Sequence, residues 1–237
     1  MNSSNEQTLG QLPLAERLAS VSAGISAAVA DAGRATDAVT TIVVTKFHPA
    51  SLIEELYALG VRDVGENRHQ EASAKASELA SLTDLSWHFV GQLQSKKARQ
   101  ARQYASVVHS VDRPALVSAL DAAGGDFPPL PCFVQVNLTD DEGRGGVQPD
   151  GLEALVERVL DAESLELWGV MAVAPLGEEP RAAFARLRGY SERVIALEPR
   201  ATRISAGMSH DYTEAILEGA THLRIGTAIT GNRPSAG

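Results

Sequence analysis

Lys46 closes an apolar, β-branched run, "TIVVTK" at 41–46, where strand-forming residues would be expected to continue. Side chains alternate along a strand, so Lys46 shares a face with Ile42 and Val44 while Thr41, Val43 and Thr45 take the other. A lysine desolvated on such a face has its charged form disfavoured, which frees the amine to form a Schiff base with a carbonyl compound. Two blander outcomes stand beside that one: a side chain that snorkels to water, or an ion pair with Glu66. Arg224, in "HLRIGT", shares a face with His222 and Gly226. If that face is inward, a permanent cation is buried and needs an acceptor from the protein or from a ligand. "SAGMSHD" and "RIGTAITG" put small residues just ahead of helical turns. Backbone N–H groups at helix starts bind anions and glycine permits close approach, so Met208, Ser209, Gly226 and Thr227 are candidate phosphate donors. The same glycines could serve only as turn residues. A lysine combined with an anion site suggests an aldehyde that carries a phosphate.

These residues need a scaffold that brings them together. Eight β-rich segments, "TIVVTK", "VRDVGE", "SWHFVG", "SVVHSV", "CFVQVNL", "LWGVMAV", "RISAGM" and "HLRIGTAI", are mostly dense enough to be buried on both faces. Helical segments separate them: "PASLIEELYALG", "NRHQEASAKASELA", "QSKKARQARQYA", "PALVSALDAAGG", "GLEALVERVLDA", "EEPRAAFARLRGYSERVIALEP" and "DYTEAILEGA". A leading amphipathic helix, "PLAERLASVSAGISAAVADAG", precedes them all. The rhythm predicts an α/β fold, a single (β/α)8 TIM-type barrel over 13–233, with an extra N-terminal helix and no C-terminal β domain. A polar leader (1–12) and a short tail (234–237) flank it. An open doubly wound sheet is the alternative, weakened because "TKFHPA" after the first strand lacks the glycines of a dinucleotide fingerprint or P-loop. Active sites of such barrels lie at the C-terminal strand ends. There the sequence predicts Lys46, Glu66 with Asn67, Asn137, Ser209 and Arg224 around one mouth.

Composition narrows the classes. A formal charge of -9 argues against general nucleic-acid or anionic-membrane binding, and "SKKARQAR" reads as a solvated helix face. Cys132 is the one cysteine, in an apolar run, which excludes a disulfide framework and reads as a buried thiol. His69, His88 and His109 lack a helical metal-ligand spacing, so no metal is expected. His88 is read as a satisfied core histidine, and Tyr212 as packing at a helix entrance. No secretion signal or spanning segment is evident, so a cytoplasmic protein is expected.

Seven motifs in order then carry a resemblance: "VVTKFHPA", "GENRHQEASAK", "WHFVGQLQSKKAR", "VHSVDR", "VQVNLTDDEGRGGV", "WGVMAVAP" and "ISAGMSHDYTEAILEGATHLRIGTAITGNR". The chain resembles the pyridoxal phosphate homeostasis proteins, the YggS/PROSC family, which share the barrel of the alanine racemase N-terminal domain. Lys96, Ala206 and Thr230 depart from the family's usual residues. The resemblance implies that Lys46 holds pyridoxal 5'-phosphate (PLP) as an internal aldimine and that Arg224 faces the pyridine nitrogen. It also implies that Ser209, Gly226 and Thr227 hold the phosphate, with Met208 and Asn67 lining the cofactor. An arginine beside that nitrogen disfavours its protonation and weakens the ring as an electron sink. Racemisation also needs proton donors on both faces of the substrate carbon, and the resembled racemases draw one from a second domain for which this chain has no room. The expected role is therefore a non-enzymatic PLP carrier or buffer in vitamin B6 and amino-acid balance, acting as a monomer or weak dimer on PLP and on PLP-requiring apoenzymes. A weak amino-acid racemase, or a Schiff-base aldolase using Lys46 on a sugar phosphate, is the competing class.

Overall fold

Strands and helices alternate along the chain in the order that its hydrophobic rhythm predicts. In a computed structural model, which describes residues 12–141 and 143–232, α1 (Leu14–Asp31) leads into β1 (Thr40–Val44), α2 (Ala50–Ala58), β2 (Asp63–Glu66) and α3 (His69–Glu78). β3 (Ser86–Phe89) is followed by a 3-10 turn (Ser95–Lys97) and α4 (Ala98–Ala101), then by β4 (Val107–Val111), α5 (Pro114–Ala122), β5 (Leu130–Gln135) and α6 (Leu152–Leu160). β6 (Leu165–Met171), α7 (Pro180–Leu197), β7 (Arg203–Ser205), α8 (Tyr212–Leu217), β8 (His222–Ile225) and α9 (Thr227–Thr230) complete the order. The expected polar leader lies outside the described residues except for Leu12, and the expected tail lies outside them entirely.

Each strand pairs in parallel with the next, and β8 returns to β1 with His222 opposite Thr40 and Arg224 opposite Ile42. That last pairing closes an eight-stranded barrel and removes the open-sheet alternative. Prolines begin several of the outer helices: Pro49 caps α2, while Pro114 and Pro180 occupy the first turns of α5 and α7, where a missing N–H costs nothing. The strands are two-faced. Val43, Val108, Cys132, Val134, Val170, Leu223 and Ile225 belong to the layer shared with the helices, while Val107, Phe133 and Met171 pack together with Trp168 in a separate cluster. Burial of Cys132 pushes its thiol up to about 12, in keeping with an inert core residue.

Two segments differ from expectation. "QSKKARQARQYA" forms a 3-10 turn and a single α turn rather than one helix, because three small residues, Ala98, Ala101 and Ala105, are all the fully buried apolar face it has before the chain must enter β4. "HLRIGTAI" stops being a strand at Ile225 and turns at Gly226 into α9. The extra helix α1 is tied to this corner. Arg17 Nε donates to Ile229 O at 2.6 Å, and Arg34 Nη1 donates to Ile216 O and Ala220 O at 3.0 and 2.7 Å. Among the described residues, no helix is long and apolar enough to cross a membrane.

Candidate functional site

β1 ends at Val44, two residues before Lys46, so the lysine stands on the rim just beyond the strand. Its exposed side chain lies with Nζ 5.7 Å from the Phe47 ring centroid, and Arg68 approaches the same ring at 4.8 Å. Lys46 is thus not desolvated by the apolar run; of the outcomes open for it, the structure takes the side chain that reaches water. The ion pair with Glu66 is also absent, because Glu66 points the other way. Thr45 Oγ1 donates to Glu66 Oε1 at 2.7 Å, and Lys75 Nζ donates to the same oxygen at 2.7 Å and to Thr45 O at 2.9 Å. Glu71 Oε1 accepts from the Phe47 amide at 2.5 Å and lies 3.4 Å from Lys75 Nζ. Thr45 and Phe47, the neighbours of Lys46, are therefore both held by one cluster from β2 and α3. Phe47 has φ 69, a left-handed conformation that costs a non-glycine residue free energy and has to be held in place by its surroundings. Burial pushes the Glu66 carboxyl up, against the hydrogen bonds from Lys75 and Thr45 that pull it down.

Deeper in the barrel lies Arg224, only 5% exposed. Its Nη1 donates to Ser205 Oγ at 2.6 Å and its Nη2 to Ala172 O at 2.8 Å. Burial lowers its pKa to about 10, with Asp211 acting in the opposite sense, and the group stays cationic near neutral pH. Both of its bonds go to neutral acceptors, so no carboxylate in direct contact offsets the charge.

Above it the turns after β7 and β8 meet. Gly207 has φ 90, and a Cβ there would come within 2.8 Å of Ala215 Cβ and 3.1 Å of Tyr212 Cα, so only glycine lets the chain turn between β7 and α8. That turn presents Met208, 37% exposed, and Ser209, whose Oγ accepts from the Ala228 amide at 3.4 Å. Gly226 lies beside Val44, 3.8 Å from its Cβ to the Cβ a substitution would add, and Thr227 is exposed at the start of α9. Across the mouth, Asn67 follows β2, packed so closely on Gly91 that any side chain at 91 would collide with its backbone. Asn67 Oδ1 is buried without a hydrogen-bond partner. A buried acceptor left without a donor is costly and marks a place where a ligand donor would be welcome.

The alanine racemase N-terminal domain family matches residues 24–234. The pyridoxal phosphate homeostasis protein of Mycobacterium leprae is 40% identical over 236 residues, covering 92% of each chain. The chain belongs to the pyridoxal phosphate homeostasis protein family. The structure of PipY from Synechococcus elongatus PCC7942 with PLP bound is 39% identical, with a TM-score of 0.81 over 92% of this chain and 100% of that one. The alanine racemase of Streptomyces coelicolor A3(2), at 21% identity and TM-score 0.71 over 90% of this chain and 58% of that one, shares the fold.

In this family member the barrel gathers Lys46, Asn67, Met208, Ser209, Arg224, Gly226 and Thr227 at or below one mouth. Two further residues expected there are elsewhere. Glu66 adjoins Asn67 in sequence and so takes the opposite face, where it meets Lys75. Asn137 is buried and spent on its own loop: its Nδ2 donates to Asp141 O at 2.8 Å, and its Oδ1 accepts from Thr139 N at 2.9 Å. Tyr212 turns away toward α1, where its hydroxyl fills the space beside Gly24. His88 is the satisfied interior histidine expected, between Asp63 and His109. Sequence reasoning missed the Lys75–Glu66–Glu71 cluster. The available signal was Glu71 and Lys75 at i,i+4 on one helix directly after β2.

Proposed function

We propose that this chain binds PLP at the barrel mouth, with Lys46 as the amine that captures it, and works as a carrier or buffer of the cofactor with no strong amino-acid turnover of its own. PLP supplies an aldehyde that condenses with a free amine, releasing water, and a phosphate that needs fixed donors. The observation that carries the proposal is the order of inward positions on β1 and β8. Arg224 lies deep opposite Ile42, Gly226 lies next to Val44, and Lys46 stands at the rim. That order suits a flat ring whose nitrogen and aldehyde-bearing carbon are opposite each other. Arg224 would meet the nitrogen, Ser209, Gly226 and Thr227 would hold the phosphate, and Met208 and the orphaned Asn67 Oδ1 would line the ring. The PLP-bound PipY structure, alike over nearly the whole chain, supports PLP as the ligand.

Arg224 argues for holding rather than turnover. A guanidinium that stays cationic cannot take up a proton, so it leaves the ring nitrogen unprotonated and the ring a poor sink for electrons. The relatives matched over nine-tenths of their length are named as pyridoxal phosphate homeostasis proteins, which supports a role in PLP homeostasis; vitamin B6 balance in the cytoplasm and delivery to PLP-requiring apoenzymes complete the proposed reading. Absorbance spectroscopy tests the binding. Wild type titrated with PLP should develop a visible band at one equivalent that Lys46→Ala lacks; a colourless wild type would refute the proposal. Robust Lys46-dependent exchange of solvent deuterium into the alpha position of alanine would instead establish a racemase.

A further inference from the structure

A chain of hydrogen bonds runs through the barrel interior from Arg224 to its opposite end. Arg224 Nη1 meets Ser205 Oγ at 2.6 Å, Ser205 Oγ meets His109 Nδ1 at 2.8 Å, His109 Nε2 meets His88 Nδ1 at 2.9 Å, and His88 Nε2 meets Asp63 Oδ1 at 3.0 Å. Ser205, His109 and His88 are buried, while Asp63, at the start of β2, keeps 31% of its side chain exposed. The donor inventory fixes the direction of these bonds. Arginine can only donate and a carboxylate can only accept, so the two ends are fixed. With both histidines neutral, His88 Nε2–H donates to Asp63 and its Nδ1 accepts from His109 Nε2–H. His109 Nδ1 then accepts the Ser205 hydroxyl proton, which leaves a Ser205 lone pair for Arg224. Every group is satisfied, and all bonds point the same way.

The alternative places a proton on both nitrogens of His88. His109 would then carry its proton on Nδ1, Ser205 would accept from both sides, and its own hydroxyl proton would have no place in the chain. It would also put a second cation in an interior that already holds Arg224 and is packed with Phe133, His222 and Trp168. Burial lowers the His109 pKa well below its ordinary value, and charge on the neighbouring His88, Arg224 and His222 acts in the same sense, in keeping with a neutral ring.

We infer that Ser205, His109, His88 and Asp63 form a one-way relay that orients the Arg224 guanidinium and links its buried charge to an anion at the far end of the barrel, and that they are positioning residues for the cofactor's ring nitrogen. The last part rests on the proposed PLP site; the direction of the relay does not. Long-range proton–nitrogen NMR on the cofactor-free protein reads that direction. The expected result is two neutral histidines, each protonated at Nε2 alone. Asp63→Asn should move the His109 Nδ1 resonance although the two residues do not touch, and Asp84→Asn, an exposed carboxylate outside the chain, should leave it in place. Ser205→Ala, which removes only the hydroxyl, should move it further and, with PLP bound, shift the visible band at unchanged stoichiometry. A doubly protonated His88, a proton on His109 Nδ1, or a His109 resonance indifferent to Asp63→Asn would overturn the relay, and an unmoved visible band in Ser205→Ala would overturn its positioning role. Failure of wild type to bind PLP would remove the proposed function while leaving the direction decided by the tautomers.

Discussion

Lys46 and Arg224 could be read from the sequence because each breaks an apolar strand pattern at a position whose parity is inward. The same parity separates Glu66 from Asn67, and treating the pair as neighbours at the mouth overlooked it. The exposure of Lys46 could not be decided from the sequence, because it depends on where β1 ends, and Thr45 at the strand's edge is the residue that Glu66 and Lys75 fix. On the proposed reading, Arg224 is the residue whose charge would make the chain a holder of PLP. Arg224→Gln keeps some hydrogen bonding but removes the charge. We expect it to shift the visible band of the PLP complex and to weaken cofactor retention by roughly tenfold, equivalent to about 1.4 kcal/mol. Spectral titration and dialysis against buffer would measure both.

At the scale of elements, the end of β1 is shaped by α3. Lys75 is 6% exposed and Glu66 1%, and together they hold Thr45 while Glu71 holds the Phe47 amide. Removing one partner of a buried ion pair strands the other charge, so Lys75→Met should cost about 3–5 kcal/mol in urea unfolding. The double variant with Glu66→Gln should recover part of that loss, and PLP capture by Lys46 should slow in the single variant beyond what the lost stability explains. At the β7–α8 turn, Gly207→Ala combines a left-handed backbone with a clash against Ala215 and Leu223. A loss above about 1 kcal/mol and weaker PLP retention are expected, since the turn carries Met208 and Ser209. Neither device could be read from the sequence with certainty: one depends on which way α3 faces, the other on the packing of α8 against β8.

At the scale of the whole molecule, the barrel could be read because eight β-rich segments alternate with helices at regular spacing. Its interior could not. His88, His109 and Ser205 lie on three different strands, and only the barrel's register brings them into line. That interior has a cost in acid. Burial lowers His222 from 6.5 to about 3 and His109 well below its ordinary value, so below about pH 6.5 the unfolded chain takes up protons that the native barrel cannot. Their contribution to stability is complete above that pH and falls as the pH drops toward 3. The slope is at most about 1.4 kcal/mol per pH unit for each histidine. Urea midpoints measured between neutrality and pH 4.5 should fall with that slope, and His222→Asn should reduce it. The most direct test of cofactor holding is borohydride reduction of the PLP-loaded protein, followed by peptide mass mapping. One pyridoxyl group on the peptide bearing Lys46, and none elsewhere at one equivalent of PLP, is the expected result. An adduct on another lysine with Lys46 unmodified would contradict it.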